Sequence, residues 1–237
     1  MIPYRDDNPT TSTAWVTYLL ILVNAAVFLR MVFGPGFEAE LCRWGAIPAR
    51  LTGSHPDPNM PRLCFGPFAP ARYTVVTHMF LHGGWLHIGG NMLYLWIFGN
   101  NIEDALGHFR YLLFYFLCGF TALFFQVLSN PASTLPMVGA SGAIAGVLGA
   151  YLILFPTATV SVLIPIFIFL TTVRVPAVLM LAFWFVLQVV SSILSAHFHA
   201  EGGVAFYAHI GGFTAGVLLI LWFPKRKGFV RLRPRRR

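Results

Sequence analysis

Gly139-Ala140-Ser141-Gly142 stands at the head of an apolar segment that runs on to Phe155, so a serine set among small residues opens a hydrophobic helix. A second apolar segment, Ala205 to Phe223, carries His209 near its start. The two segments offer a nucleophile and a base at the same end of two hydrophobic helices. That arrangement points to serine hydrolysis inside a membrane.

Working outward from this stretch, composition agrees with a membrane setting. Hydrophobic residues make up 57% of the chain and charged residues 10%, against roughly 25% charged in soluble domains. A helical span needs about 20 mainly apolar residues. The candidates are Trp15–Phe33, Trp85–Ile102, Tyr111–Leu128, Gly139–Phe155, Pro176–Ala196 and Ala205–Phe223. Short stretches of strict polar–apolar alternation are absent, which disfavours a transmembrane barrel. The expected fold is therefore an all-α polytopic membrane protein with six transmembrane helices. The first span follows Asp6 and Asp7 without a convincing small-residue cleavage site, so it reads as a retained helix. Val160–Leu170 is also apolar, but it is about half a span in length and contains Pro165. It reads as an interfacial segment or a short turn between helices.

The expected organisation is a cytoplasmic leader over residues 1–14, a membrane domain over 15–223 with a long extracytoplasmic first loop at 34–84, and a basic tail over 224–237. The tail carries Lys225, Arg226, Lys227, Arg231, Arg233, Arg235, Arg236 and Arg237. Positive charge beside a span marks the cytoplasmic side, and an even number of spans then puts both termini there. The net charge of +8 is largely this tail, which suits orientation and anionic lipid headgroups and calls for no nucleic acid. With that parity, His87, Asn91, Ser141 and His209 all fall at the outer face, whereas Glu103 and Asp104 fall at the cytoplasmic one. Cys42 and Cys64 share the outer loop, where an oxidising compartment permits a disulfide, and we expect them to be linked. Cys118 reads as a small buried hydrophobe of the third span.

Polar residues inside spans are costly and each asks for a reason. His87 and Asn91 lie i, i+4 and share one helix face. Taken singly, Asn91 reads as an interhelical hydrogen-bonding residue, a lone serine as a packing residue and a lone histidine as a satisfied one. Their joint placement at one depth favours chemistry. Gly142 and Gly146 form a GxxxG pair after Ser141, and Gly212 and Gly216 form another after His209. Such pairs let helix backbones approach closely, which would bring Ser141 within hydrogen-bond reach of His209. His78, His82 and His87 lack the helical His-Glu-x-x-His pattern and an adjacent carboxylate ligand, so no metal and no cofactor is expected.

The chain resembles the rhomboid intramembrane serine proteases of bacterial type. The resemblance rests on Leu81 to Asn91, with His82, His87 and Asn91, on Ser141 within Gly139 to Gly142, and on His209 within Ala208 to Gly216. It implies a six-helix rhomboid-like bundle in a bacterial cytoplasmic membrane. It also implies a Ser141–His209 dyad that cleaves membrane-anchored protein substrates. His87, Asn91 and the Ser141 backbone would bind the oxyanion, with His82, Gly139 and Gly142 in supporting roles. The alternative is an inactive rhomboid-like protein that binds transmembrane segments without cutting them. A small transporter is disfavoured, since neither a mid-span charge nor a repeated half is present.

The chain departs from the family pattern in three places. Ala71-Arg72 stands where the first loop usually carries a Trp-Arg pair. Ala145 replaces an aromatic expected to pack on the catalytic histidine, leaving Tyr207 or a residue of the fifth span to hold His209. Gly90 replaces a bulky gating side chain, which implies a wider lateral opening. Phe183, Trp184 and Phe185 are expected to face lipid, and His197, His199, Glu201, Gly202 and Gly203 read as a loop covering the site.

Overall fold

The computed structural model describes residues 2–54, 64, 69–166, 169–197, 205–226 and 229. Its helices are α1 (Trp15–Phe33), α2 (Phe37–Trp44), α3 (Pro48–Thr52), α4 (Ala71–Thr77), α5 (Trp85–Tyr94), α6 (Asn100–Leu106), α7 (His108–Ser129), α8 (Ser141–Leu154), α9 (Ala177–His197) and α10 (Phe206–Trp222). Of the six expected spans, α1, α7 and most of α9 are continuous helices long and apolar enough to cross a membrane. Two more, α8 and α10, are apolar but shorter. The remaining one is a helical run from Trp85 to Leu106 in which a π-turn, Leu95–Gly99, joins α5 to α6.

α8 is the axis of the bundle. It is apolar around its whole circumference, and every residue from Gly142 to Tyr151 is buried, as expected of a core helix. α7 and α10 pack on its sides. The outward faces of the surrounding helices keep large apolar side chains exposed, among them Leu22, Phe109, Leu187 and Leu221. In a membrane protein that surface is solvated by lipid.

The all-α expectation needs correction at the end of α8 away from Ser141. The segment expected to be interfacial is a hairpin of β2 (Thr159–Ile166) and β3 (Phe169–Pro176), and β1 (Ile2–Asp6) of the leader adds to it. All pairings are antiparallel, with Ile2 opposite Leu163, Asp6 opposite Val160 and Thr159 opposite Pro176. The segment is rich in β-branched residues, which suit a pleated, half-buried surface. Among the described residues, pairing with β1 ends at Leu163, so Pro165 lies where β2 has only β3 beside it and its missing N–H breaks no ladder on the other side. Val160 and Val162 enter the core with Phe155, Ala158 and Ala177.

The leader is tied to the same end by buried polar groups. Tyr151 Oη donates to Asp6 Oδ2 at 2.6 Å, Asn101 Nδ2 donates to the same oxygen at 2.9 Å, and Asn8 Nδ2 donates to Asn101 Oδ1 at 2.5 Å. Burial pushes the Asp6 carboxyl up to about 6, partly offset by the Tyr151 hydrogen bond. Asp104 accepts the Ser12 N–H at 2.9 Å and the Thr11 N–H at 3.2 Å. Arg226 Nη2 lies 3.0 Å from its carboxylate. Asp104 thus holds the leader and Glu103 the head of α1, and α5 through α6 carries the pair about 25 Å from His87 at 1.5 Å per residue.

At the other end, the described residues of the long 34–84 loop form short helices. It holds α2, α3 and α4, and a disulfide joins Cys42 to Cys64. Ala46 and Met137 exchange backbone hydrogen bonds of 3.0 and 2.8 Å, and Ala49 N donates to Ser133 O at 3.0 Å. These contacts hold the α7–α8 connection that leads into Ser141. Cys118 is buried within α7.

Candidate active site

Ser141 is the first residue of α8. A helix begins with N–H groups that have no intrahelical acceptor, and its dipole concentrates positive charge there. The first intrahelical bond of α8 runs from Ile144 N to Ala140 O at 3.0 Å. Among the described residues the Ser141 N–H therefore has no backbone acceptor, and it lies beside its own hydroxyl.

Glycine sets the distance between α8 and α10. A Cβ on Gly212 would overlap the carbonyl oxygen of Gly142, and one on Gly216 would overlap that of Gly146. On the opposite side, Gly142 and Gly146 meet Ala122 and Cys118 of α7. The Gly212/Gly216 pair thus acts as expected, as a backbone-to-backbone seat on α8, whereas the Gly142/Gly146 pair chiefly makes room for side chains of α7. The seat brings Ser141 Oγ to 2.8 Å from His209 Nε2, within the reach a nucleophile and base require. His209 itself is only 9% exposed.

His209 is held on two further sides by α9. Its Nδ1 lies 2.8 Å from Gln188 Oε1, and the Trp184 ring lies beside it at 5.7 Å between centroids. Phe185 stacks on Phe213 at 4.5 Å. Of the three aromatics expected to face lipid, only Phe183 does so fully; Trp184 and Phe185 turn inward on α10. The aromatic that Ala145 does not provide comes from the fifth span, in the form of Trp184.

His87 and Asn91 stand one turn apart on α5, opposite the head of α8. The Gly83 N–H donates to His87 Nδ1 at 3.3 Å, which leaves the proton of the neutral ring on Nε2. Gly139 has φ +122°, and a Cβ there would lie 2.7 Å from His87 Nε2 and 3.6 Å from Asn91 Nδ2. Glycine is needed at this position for both its conformation and its closeness. The Gly139 N–H donates to His78 O at 2.8 Å, and His78 Nδ1 lies 2.9 Å from Thr74 O. Burial lowers His78 to about 4, so it serves as a neutral wall of the site. Asn91 Nδ2 is buried without a partner among the described residues. A buried donor with no acceptor is costly, and this one borders the head of α8.

The remaining supporting residues differ in kind. His82 is fully buried and packs edge-on to His87 at 5.0 Å, both its ring nitrogens lacking partners among the described residues. Burial, with His87 adjacent, lowers its pKa to about 3. Gly142 serves the helix seat. Arg72 lies over the Tyr73 ring at 4.8 Å in the place of the expected Trp-Arg pair. A Cβ on Gly90 would meet nothing within 4 Å, so the space there is open. Residues 198–204 of the expected covering loop lie outside the described residues. Among the described residues no three His, Cys, Asp or Glu side chains converge on a metal position.

Gln188 escaped the sequence reading. Its signal was present, since it is the one amide or charged side chain between Ala177 and Val190 in an apolar helix, four residues after Trp184. The arrangement as a whole presents a hydroxyl bonded to an imidazole, an acceptor behind that imidazole, and the His87 and Asn91 side chains of α5 beside Gly139, two residues before the hydroxyl.

Residues 70–226 match the Rhomboid domain. The chain is 30% identical over 155 residues to "Rhomboid protein 1, mitochondrial" of Saccharomyces cerevisiae, covering 64% of this chain and 42% of the relative. It is 26% identical over 167 residues to "RHOMBOID-like protein 5" of Arabidopsis thaliana, covering 63% and 53%. It is 40% identical over 80 residues to "Rhomboid protease GluP" of Bacillus subtilis, covering 34% and 15%. The matched region spans about half or less of the length of these relatives. They include a mitochondrial and a bacterial protein, so they do not select the bacterial cytoplasmic membrane expected from sequence. They agree with the apolar helices in making this an integral membrane protein.

Proposed function

The chain belongs to the rhomboid family, and we propose on that basis that it is an intramembrane serine endopeptidase cutting membrane-anchored protein substrates with a Ser141–His209 dyad. The observation that carries this reading is the 2.8 Å contact between Ser141 Oγ and His209 Nε2.

A serine hydroxyl is a weak nucleophile until a base takes its proton. As Oγ attacks the scissile carbonyl carbon, its proton passes to His209 Nε2. The carbonyl oxygen gains negative charge, and the Asn91 amide, His87 Nε2–H and Ser141 N–H stabilise it as fixed donors. The intermediate collapses with loss of the amine, which receives the proton from His209. Water then attacks the acyl-serine with His209 again as base, releasing the second product and restoring Ser141.

The α8 helix is about 21 Å long at 1.5 Å per residue, shorter than the roughly 30 Å hydrocarbon core. A helix of this length cannot reach both faces, which is compatible with chemistry on a peptide bond inside the bilayer thickness. We assign both termini to the cytoplasmic side from the basic tail, which places the dyad toward the outer face in a six-span topology.

The test is cleavage of a panel of single-span protein substrates by wild-type protein and Ser141→Ala. The reading expects cleavage by the former and none by the latter. Undiminished cleavage by Ser141→Ala, or binding without cleavage by the wild type, would sink it.

A further inference from the structure

We propose that Gln188 is the positioning residue of this site, its side-chain carbonyl accepting the Nδ1–H of His209 and so presenting the Nε2 lone pair to Ser141. The inference rests on the serine-hydrolase reading above and adds a third, uncharged member to the dyad.

A neutral imidazole carries one ring proton, and only the tautomer protonated on Nδ1 leaves Nε2 free to accept from serine. A hydrogen-bond acceptor behind the ring selects that tautomer, and its loss lets the ring rotate or re-protonate. Gln188 Oε1 occupies that place at 2.8 Å, and Ser141 Oγ lies 2.8 Å from the other nitrogen.

The placement on α9 is specific. Trp184 and Gln188 are i, i+4 and share one face, so the ring that flanks His209 and the acceptor that orients it come from successive turns. Their helical neighbours Phe183, Val186, Leu187 and Val190 are exposed to the lipid side. An amide placed in an apolar helix has a cost that a hydrogen bond offsets, and here that bond is to the base. The carboxylates that follow α5, Glu103 and Asp104, are at the far end of the bundle, where they bind the head of α1 and the leader. An amide also has a chemical advantage in a medium of low polarity. It orients the ring without adding a negative charge that would favour a resting imidazolium, which could not accept the serine proton.

The experiment uses the full chain in lipid vesicles and a fluorophosphonate probe. The measured quantities are the rate of Ser141 labelling against pH, and kcat and KM for a single-span reporter substrate. Gln188→Met keeps the shape and removes the acceptor. It should slow labelling and kcat by about tenfold or more, the worth of one hydrogen bond, with KM little changed. Gln188→Glu restores the acceptor and should recover most of the lost rate. Its acidic limb should move to higher pH because the carboxylate favours the imidazolium. A Gln188→Met protein as fast as wild type overturns the assignment, and so does a Gln188→Glu protein as slow as Gln188→Met. If Gln188→Met fails to fold, Gln188→Ala is measured against Gln188→Glu in the same way. Failure of the wild type to label at Ser141 overturns the hydrolase reading itself, an outcome distinct from the other two.

Discussion

Glu103 and Thr17, separated by 86 residues, form a helix cap across the molecule. The Glu103 carboxylate accepts the Thr17 N–H at 2.8 Å and hydroxyl at 2.7 Å, and the Val16 N–H at 2.9 Å. Ala14, at the cap position of α1, offers no side-chain bond of its own. A fully buried carboxylate from α6 therefore satisfies the N–H groups that α1 leaves open, and it meets the positive end of the helix dipole. His108 Nδ1 lies 2.5 Å from Oε1, the same oxygen that accepts the Val16 N–H.

Glu103→Gln should destabilise the protein by about 1–3 kcal/mol, because charge-assisted bonds to backbone donors are lost without relieving the burial. Thermal unfolding in a fixed detergent should show a lower midpoint, while the folded fraction keeps its rate of Ser141 labelling. An unchanged midpoint would show that the cap contributes nothing.

Gly216→Ala should separate α10 from α8, since the added methyl has the Gly146 carbonyl in its way. Overpacking of this kind costs about 1–3 kcal/mol. Labelling of Ser141 should slow as the Ser141–His209 distance grows. Gly89→Ala is the control, because a Cβ there meets nothing within 4 Å and alanine favours a helix. Equal behaviour of the two variants would mean that the helix seat does not set the dyad.

Asp6 gives the fold a pH dependence whose sign can be worked out. Its folded pKa of about 6 lies above the ordinary 3.8 because of burial. The folded state therefore binds the proton more tightly, and this contribution is full below about pH 4 and is lost as pH rises through 6. Asp6→Asn keeps a neutral group at every pH. The stability of the variant relative to wild type should rise between pH 4 and 6 and then level off. A difference that does not vary with pH would contradict the burial argument.

Asn91→Ala should lower the rate of peptide cleavage by roughly 10²–10³-fold if its amide is an oxyanion donor. Phosphonate labelling should persist, since the base and nucleophile remain. Asp104→Asn, a change at the opposite end, should leave the catalytic rate of the folded protein near that of wild type. Cleavage unaffected by Asn91→Ala would remove it from the oxyanion site.

Sequence and structure agree best where the information is one-dimensional. The ends of α7, α8, α9 and α10 fall within a few residues of the apolar segments that announced them. The hairpin at Thr159–Pro176 departs from the expected interfacial segment or turn, because its run of β-branched residues outweighs its short length and Pro165. The pleated pairing also depended on a leader strand from the far end of the chain. Ala145 announced a missing aromatic, but only packing could say that Trp184 takes its place.

What the sequence determined by itself was the solvent, the long apolar helices and the placement of Ser141 and His209 at the same end of two of them. Apolar length, glycine spacing and the position of a polar residue along a span are local properties that survive projection onto a line. The tertiary structure decided which atoms complete the polar groups. Gln188 behind His209, Glu103 at the head of α1 and Asp6 against Tyr151 each depend on the rotation and height of one helix relative to another. A buried polar atom must find its partner wherever packing brings one, and sequence separations from 21 to 145 residues do not announce which it will be.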